Sequence, residues 1–261
     1  MTSMTPPSPT PPTLPDALRS LGLRRTAADL ADFLARATRS RWSPAVCLEE
    51  LVRAEAQDRA RRSLERRLSR ARLGGFKPMA DFEWDWPKSL DRAAVERVLG
   101  LGFLESGSNV ILAAAQGLGK TMIAKNVAHQ AVLAGAHVLC VTAADLLLDL
   151  GGQETTRTLE RRLRHYVEPR LLCIDELGYL TYDNRAADLL FQVVSRRYER
   201  RSLLVTTNLA FKDWGGIFPN AACVTALLDR LTHHAEIIAI TGESYRRREA
   251  EAAQKARRSK P

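Results

Sequence analysis

The stretch from Ile111 to Gly135, ILAAAQGLGKTMIAKNVAHQAVLAG, limits what this chain can fold into more than any other. An apolar strand-like run, Val110 to Ala113, breaks into a glycine-bearing turn and then into a helix of apolar period. The turn carries Gly117, Gly119, Lys120 and Thr121. A strand that passes into a helix through such a loop aims consecutive backbone N–H groups and the positive end of the helix dipole at one point, which makes an anion site. A lysine at that point reaches the outer phosphates of a nucleotide, and the hydroxyl beside it holds Mg²⁺. The residues expected around the phosphates are therefore Ala114, Ala115, Gln116, Gly117, Leu118, Gly119, Lys120, Thr121 and Met122. The pattern usually opens with glycine, and Ala114 stands in that place. Alanine lacks glycine's freedom at positive φ, but the turn after a strand does not always require it, and Ala114 reads as a tolerated variant.

Downstream of Asn109 the sequence alternates strand and helix. Apolar runs at Val110–Ala113, Val138–Val141, Leu171–Ile174, Leu203–Val205 and Ile237–Ile240 are separated by helical stretches. That rhythm predicts an α/β fold, a parallel sheet with helices on both faces. Two strand ends carry further chemistry. LLCIDELGYL, Leu171 to Leu180, ends in adjacent acids, which the fold would place at the carboxyl edge of the sheet beside the phosphate loop. Asp175 is then the residue to hold Mg²⁺, with Thr121, and Glu176 the base for the attacking water. LLVTTNL, Leu203 to Leu209, puts Asn208 at the same edge, where its amide could orient that water. Thr-Thr-Asn is also good turn chemistry, and its position as the third polar strand end is what favours the site.

ALLDRLTHHAE, Ala226 to Glu236, places Arg230 near the end of a short helix. A guanidinium there could reach a phosphate on a neighbouring subunit, or pair with Asp229. His233 and His234 have no partner at metal-ligand spacing and read as a polar surface turn. The four cysteines, Cys47, Cys140, Cys173 and Cys223, form neither a zinc spacing nor a disulfide framework, as in a reducing cytoplasm. No HExxH or GxSxG pattern occurs, so zinc-hydrolase and acyl-transfer chemistry lack support.

Charge separates the rest of the chain from this core. The net charge is +9, and from Arg19 to Arg72 fourteen arginines face seven acids. From Arg246 to Lys260 seven basic residues face two acids, whereas Leu73 to Tyr245 carries 18 basic and 20 acidic residues. Two flanking segments therefore hold the excess, which is the footprint of a polyanion partner. Three amphipathic segments precede the core. One is a stripe at Leu14, Leu18 and Leu21; the second, through Leu30, Phe33, Leu34 and Ala37, is opened by Thr26 and Asp29 at capping-box spacing. The third is a long helix started by Ser43 and Pro44 and ended by Gly74 and Gly75. Its arginines, Arg59, Arg62, Arg66, Arg67 and Arg70 among them, are expected to contact nucleic-acid phosphates rather than bases.

The expected organisation is a proline-rich disordered leader over 1–13 and a basic helical domain over 14–75. A linker over 76–89 leads to the nucleotide-binding domain over 90–245, which begins with a helix from Leu90 to Leu104, and a basic tail spans 246–261. The linker aromatics, Phe76, Phe82, Trp84 and Trp86, read as pins against the neighbouring domain. No apolar run approaches the roughly 18 residues of a membrane span, and the first residues hold no apolar signal segment.

In this order, the phosphate loop, IDELGYL, TTN, ALLDRLTHHAE and TGESYR resemble the IstB-like transposition helper ATPases, relatives of DnaC-type helicase loaders in the AAA+ class. The likeness extends to ERRLSRARLGGFK and TAADLLLDL and covers nearly the whole chain after the leader. It implies a P-loop fold with ASCE-type strand order and ATP hydrolysis with Mg²⁺. It also implies homo-oligomers on double-stranded DNA and partnership with a transposase. By that resemblance Lys120 and Thr121 bind ATP and Mg²⁺, and Asp175 and Glu176 form the Walker B pair. Asn208 matches sensor 1, Arg230 a trans-acting arginine finger and Arg246 a sensor 2 arginine. Ala114, Ala115 and Gln116 stand where many members have Gly-Pro-Pro. A helicase loader and an ATP-gated DNA-binding switch with little turnover are the alternatives. The first shares the core, and the retained Lys120, Asp175 and Glu176 argue against the second.

Overall fold

A computed structural model describes residues 12–179, 181–218 and 221–258, so residues 1–11 of the expected leader, Leu180 of the second motif and the last three residues of the tail lie outside the description. The chain forms two compact units, one up to Arg66 and one from Arg67. No helix among the described residues is long and apolar enough to cross a membrane.

In the first unit Thr13 caps α1 (Leu14–Ser20), and α2 (Arg24–Ala28) and α3 (Leu30–Arg39) follow. Phe33 is buried, and its ring meets Trp42 edge-on at 5.9 Å. The capping-box expectation fails at Thr26. That residue lies inside α2, and its backbone N–H donates to the buried Glu55 carboxylate at 2.6 Å. The need to satisfy a buried acid overrides the local capping pattern. Ser43 does cap α4 (Pro44–Ala71), accepting from the Val46 N–H. The helix stops at Ala71, earlier than Gly74, because Arg72 already takes a left-handed φ of 54°.

The second unit continues through a 3-10 turn at Met79–Asp81 to α5 (Arg92–Leu99) and α6 (Phe103–Ser106). The single helix expected from Leu90 to Leu104 is therefore broken. Gly100 ends α5 and Leu101 turns to φ 64° before α6 begins. Then come β1 (Asn109–Ala114), α7 (Lys120–Leu133), β2 (Val138–Thr142), α8 (Ala143–Gly151), α9 (Thr156–Val167) and β3 (Leu171–Leu177). They are followed by α10 (Asn184–Arg197), β4 (Ser202–Thr207), a 3-10 turn at Phe211–Gly216, α11 (Ala221–Thr232), β5 (Ala235–Ile240) and α12 (Tyr245–Arg258).

The five strands form one parallel sheet in the order β2-β3-β4-β1-β5. The inner strands β1, β3 and β4 are buried on both faces for most of their length and so need apolar side chains at successive positions, whereas the edge strand β5 leaves Ile237 exposed. Ile111, Leu139, Leu172, Ile174, Leu203 and Val205 pack into the main core with Leu146, Leu150, Leu163, Leu190, Val193 and Leu227 from α8, α9, α10 and α11. Their neighbours in the strands, Val110, Leu112, Val138, Leu171 and Leu204, are also fully buried and point to the other face by strand alternation; α7 lies against β1, β2, β3 and β4.

Two polar side chains hold the amino edge of the sheet. Arg197 is fully buried, and its guanidinium donates to the carbonyls of Tyr166, Val167, Pro169 and Ser202, with a longer contact to Arg170. Burial pushes this guanidinium down to about 9. Asn109 accepts from the Leu203 N–H and donates to the Leu231 carbonyl, both at 3.0 Å, tying β1 to β4 and to the last turn of α11.

Candidate nucleotide-binding site

Because β4 lies between β1 and β3, its polar end sits between the loop after β1 and the acids of β3. Fold and motif thus converge on one cavity of about 490 Å³ at the carboxyl edge of the sheet. Its lining takes every loop residue from Gln116 to Met122, then Glu176, Thr206 and Asn208, and closes with Tyr245 and Arg246 of α12.

The loop needs positive φ at two residues only. Gly117 has φ 78° and Gly119, which precedes α7, has φ 89°. Neither position has room for a side chain. A Cβ on Gly117 would overlap the Ser244 hydroxyl, and one on Gly119 would lie 2.7 Å from Phe82 Cε2. Ala114, Ala115 and Gln116 are not among the residues at positive φ. Ala114 is the last residue of β1 and is buried there, so the missing first glycine costs the loop no backbone strain. Lys120 Nζ donates to the carbonyls of Ala114 and Ala115, at 2.6 and 2.7 Å. Burial holds this ammonium below the usual lysine range; Asp175 and Glu176 oppose the shift and Arg246 adds to it.

The acids are set by an irregularity in β3. Pairing with β4 shifts register between Ile174 and Leu177, and Glu176 adopts a left-handed φ of 62°. Glu176 lines the cavity, whereas Asp175, one residue before, lines the space on the other side of the strand. Asp175 reaches the loop through Thr121, whose hydroxyl donates to its two carboxylate oxygens at 3.1 and 3.0 Å. Thr206 links the pair. Its hydroxyl donates to Asp175 Oδ1 and accepts the Glu176 N–H at 2.9 Å. The sequence pointed to Asn208 in this triplet and passed over Thr206, whose role needs the register shift to be seen. Asn208 Oδ1 is buried and has no hydrogen-bond partner among the described residues. Such an orphaned acceptor beside a hydroxyl, two carboxylates and a lysine suits a site that holds phosphate, water and a hard divalent cation.

The linker aromatics are pinned as expected, and they also wall the cavity. Phe82, Trp86 and Pro87 line it. Phe82 meets Trp84 edge-on at 4.9 Å, Trp86 Nε1 donates to the Glu243 carbonyl, and the Arg248 guanidinium lies 4.3 Å from the Trp86 ring centre. The Tyr245 hydroxyl donates to Glu83, and the Tyr245 N–H to the Gly117 carbonyl, which brings Arg246 to the loop. No sequence pattern signals that a linker some thirty residues upstream forms this wall.

Arg230 is not part of this cavity. Its guanidinium stacks over Phe191 at 4.5 Å, and among the described residues Nη1 is buried without a hydrogen-bond partner and no ion pair with Asp229 forms. Of the arginines expected at DNA, Arg59, Arg66 and Arg70 are exposed, at a spacing that keeps them on one face of α4. Arg62 pairs with Asp58 at 2.7 Å, and Arg67 Nε donates to the Val132 carbonyl at 3.1 Å.

Comparison with known proteins agrees with this geometry. The family profile described as "IstB-like ATP binding protein" matches residues 16–253. The "Insertion sequence IS21 putative ATP-binding protein" of Pseudomonas aeruginosa is 39% identical over 195 residues, 75% of this chain and 74% of that protein. The "Insertion sequence IS5376 putative ATP-binding protein" of Geobacillus stearothermophilus is 36% identical, covering 77% of this chain and 80% of that one. Among solved structures, DnaI superposes with a TM-score of 0.52 at 20% identity, over 66% of this chain and 90% of that one. A replication initiator DnaA bound to AMPPCP and single-stranded DNA does so at 0.52 and 16%, over 62% and 49%. At these identities the structures speak for the fold alone, a parallel P-loop sheet flanked by helices. With the profile spanning most of its length, the chain belongs to the IstB-like ATP-binding family.

Proposed function

We propose that this protein is a DNA-dependent ATPase that assists transposition, assembling on duplex DNA with ATP bound and acting with a transposase in the cytoplasm. The observation that carries the catalytic part is the single cavity where Lys120, Thr121, Glu176, Thr206 and Asn208 meet, with Asp175 one hydrogen bond behind Thr121. In this reading Lys120 leaves the carbonyls of Ala114 and Ala115 for the outer phosphates, and the N–H groups from Gly117 to Thr121 cradle them. Mg²⁺, which Thr121 and Asp175 would hold, neutralises phosphate charge when bound. Glu176 takes the proton of the attacking water, and the Asn208 amide orients that water. Arg246, next to the loop, binds the nucleotide from the α12 side.

Arg230 serves a neighbouring subunit in the same account. It lies outside its own cavity, and among the described residues nothing hydrogen-bonds its Nη1. That supports the homo-oligomer, in which each site is completed by the next copy. Arg59, Arg62, Arg66, Arg67 and Arg70 contact phosphates of the duplex, the three exposed ones first and the two engaged ones after exchanging partners. The insertion-sequence relatives favour a transposase over a helicase as the protein partner. Mass-resolved binding to a duplex oligonucleotide with and without ATP tests the assembly. ATP should raise both the affinity and the number of copies bound. Identical affinity and stoichiometry in the two conditions would refute it.

A further inference from the structure

The two histidines that the sequence leaves as a surface turn gain a partner in the fold. His233 and His234 lie between α11 and β5, and Glu199 lies in the turn between α10 and β4. Both turns are at the amino edge of the sheet, the edge away from the phosphate loop, on either side of β1. The His234 carbonyl accepts the Asn109 N–H at 2.7 Å, which anchors the histidine turn to β1. Glu199 Oε1 is then 3.5 Å from His234 Nε2 and 3.8 Å from His233 Nδ1. Among the described residues this is the one group of three potential metal ligands whose donor atoms all lie within 4.8 Å of one another.

We propose that Glu199, His233 and His234 bind a divalent transition-metal ion of the zinc type. A tetrahedral ion with ligand bonds of about 2.0–2.2 Å holds its donors roughly 3.3–3.5 Å apart. The Glu199–His234 pair already has that separation, and the Glu199–His233 pair needs to close by a few tenths of an ångström. Two imidazoles and one carboxylate suit zinc, cobalt(II) or nickel(II), and do not suit magnesium or calcium, which take all-oxygen sets. Glu199 forms ion pairs with no lysine or arginine among the described residues; besides the two histidines its carboxylate meets the neighbouring Tyr198 side chain, a neutral partner that a metal ion can displace. All three side chains are about half exposed, which leaves a fourth position open to water and makes the ion exchangeable. Tyr198 modulates the site, because its hydroxyl is 2.6 Å from His233 Nδ1 and competes for that lone pair. The ion joins the α10–β4 turn to the turn that follows α11, without involving the nucleotide cavity.

The test is calorimetric titration of the untagged full chain with zinc chloride in millimolar Mg²⁺, beside the absorption spectrum of the cobalt(II) complex. One equivalent of zinc should bind, with cobalt(II) giving visible bands of a tetrahedral site and no thiolate charge-transfer band. His234→Ala and Glu199→Gln should each weaken binding at least as much as the roughly 10–100-fold cost of an outer-shell change, and Tyr198→Phe should bind no more weakly than the parent. Melting curves of the metal-free variants matching the parent would show that they fold. No binding, a thiolate band, or equal affinity in His234→Ala and Glu199→Gln would overturn the site.

Discussion

Replacing Thr206 by valine keeps the shape of the side chain and removes only its hydroxyl. That hydroxyl is buried in β4, donates to Asp175 Oδ1 and accepts the Glu176 N–H at 2.9 Å. A hydrogen bond to a charged group contributes about 1.5–3 kcal/mol, and the loss of the partly exposed backbone bond adds about 0.5–1 kcal/mol. The variant should therefore be less stable by about 2–4 kcal/mol. For a unit of this size each kcal/mol lowers Tm by about 2–4 °C, so melting should fall by about 4–16 °C. Activity should suffer beyond stability. Glu176 sits at φ 62°, a strained conformation that its N–H bond to Thr206 helps to hold, and Asp175 would keep only Thr121 as a hydroxyl partner. On the proposed mechanism ATP turnover should drop at least tenfold at a temperature where the variant is folded, while nucleotide affinity changes little. Thr206→Ser restores the hydroxyl and should restore both quantities in large part. Scanning fluorimetry and steady-state phosphate release measure them. A Thr206→Val protein that melts within a degree of the parent and turns over normally would refute the positioning role.

Gly119→Ala forces an alanine to φ 89° and sets its Cβ 2.7 Å from Phe82, so it should cost at least about 1–2 kcal/mol and lower ATP affinity tenfold or more. Adding Phe82→Ala should recover the steric part and leave the backbone part, as read by fluorescent-nucleotide titration; unchanged affinity in Gly119→Ala would contradict the tight loop. Arg197→Met leaves the carbonyls of Tyr166, Val167, Pro169 and Ser202 buried without their donor and should destabilise by about 3–5 kcal/mol in urea unfolding, with a loss below 1 kcal/mol counting against the account. Arg230→Ala should bind ATP with parental affinity yet lose about a thousandfold in turnover, and mixing it with Glu176→Gln protein should restore part of the activity if Arg230 serves the next subunit. Normal turnover in Arg230→Ala would remove the trans-subunit role.

What could be read from the chain and what could not follows physical lines. The inner strands β1, β3 and β4 were legible because a parallel strand buried on both faces must be apolar at consecutive positions, and the phosphate loop because its glycines and lysine lie within a few residues of each other. Ala114 reads as a tolerated variant, and positive φ falls at Gly117 and Gly119 instead. Elements set by distant partners were not legible. Thr26 reads as a helix cap, yet the buried Glu55 takes its N–H from the middle of α2. Thr206 joins Asp175 and Glu176 in the stretch where the β3–β4 register slips, between Ile174 and Leu177. Phe82 and Trp86 reach the nucleotide cavity, and Glu199 reaches His233 and His234, across separations in which no local pattern survives.

The central claim is that this cavity hydrolyses ATP in response to DNA. Steady-state hydrolysis with and without duplex DNA, in the parent and in Glu176→Gln, tests it most directly. The account predicts turnover that duplex stimulates and that disappears in Glu176→Gln while ATP binding persists. Turnover absent from the parent on duplex DNA, or equal in Glu176→Gln, would contradict it.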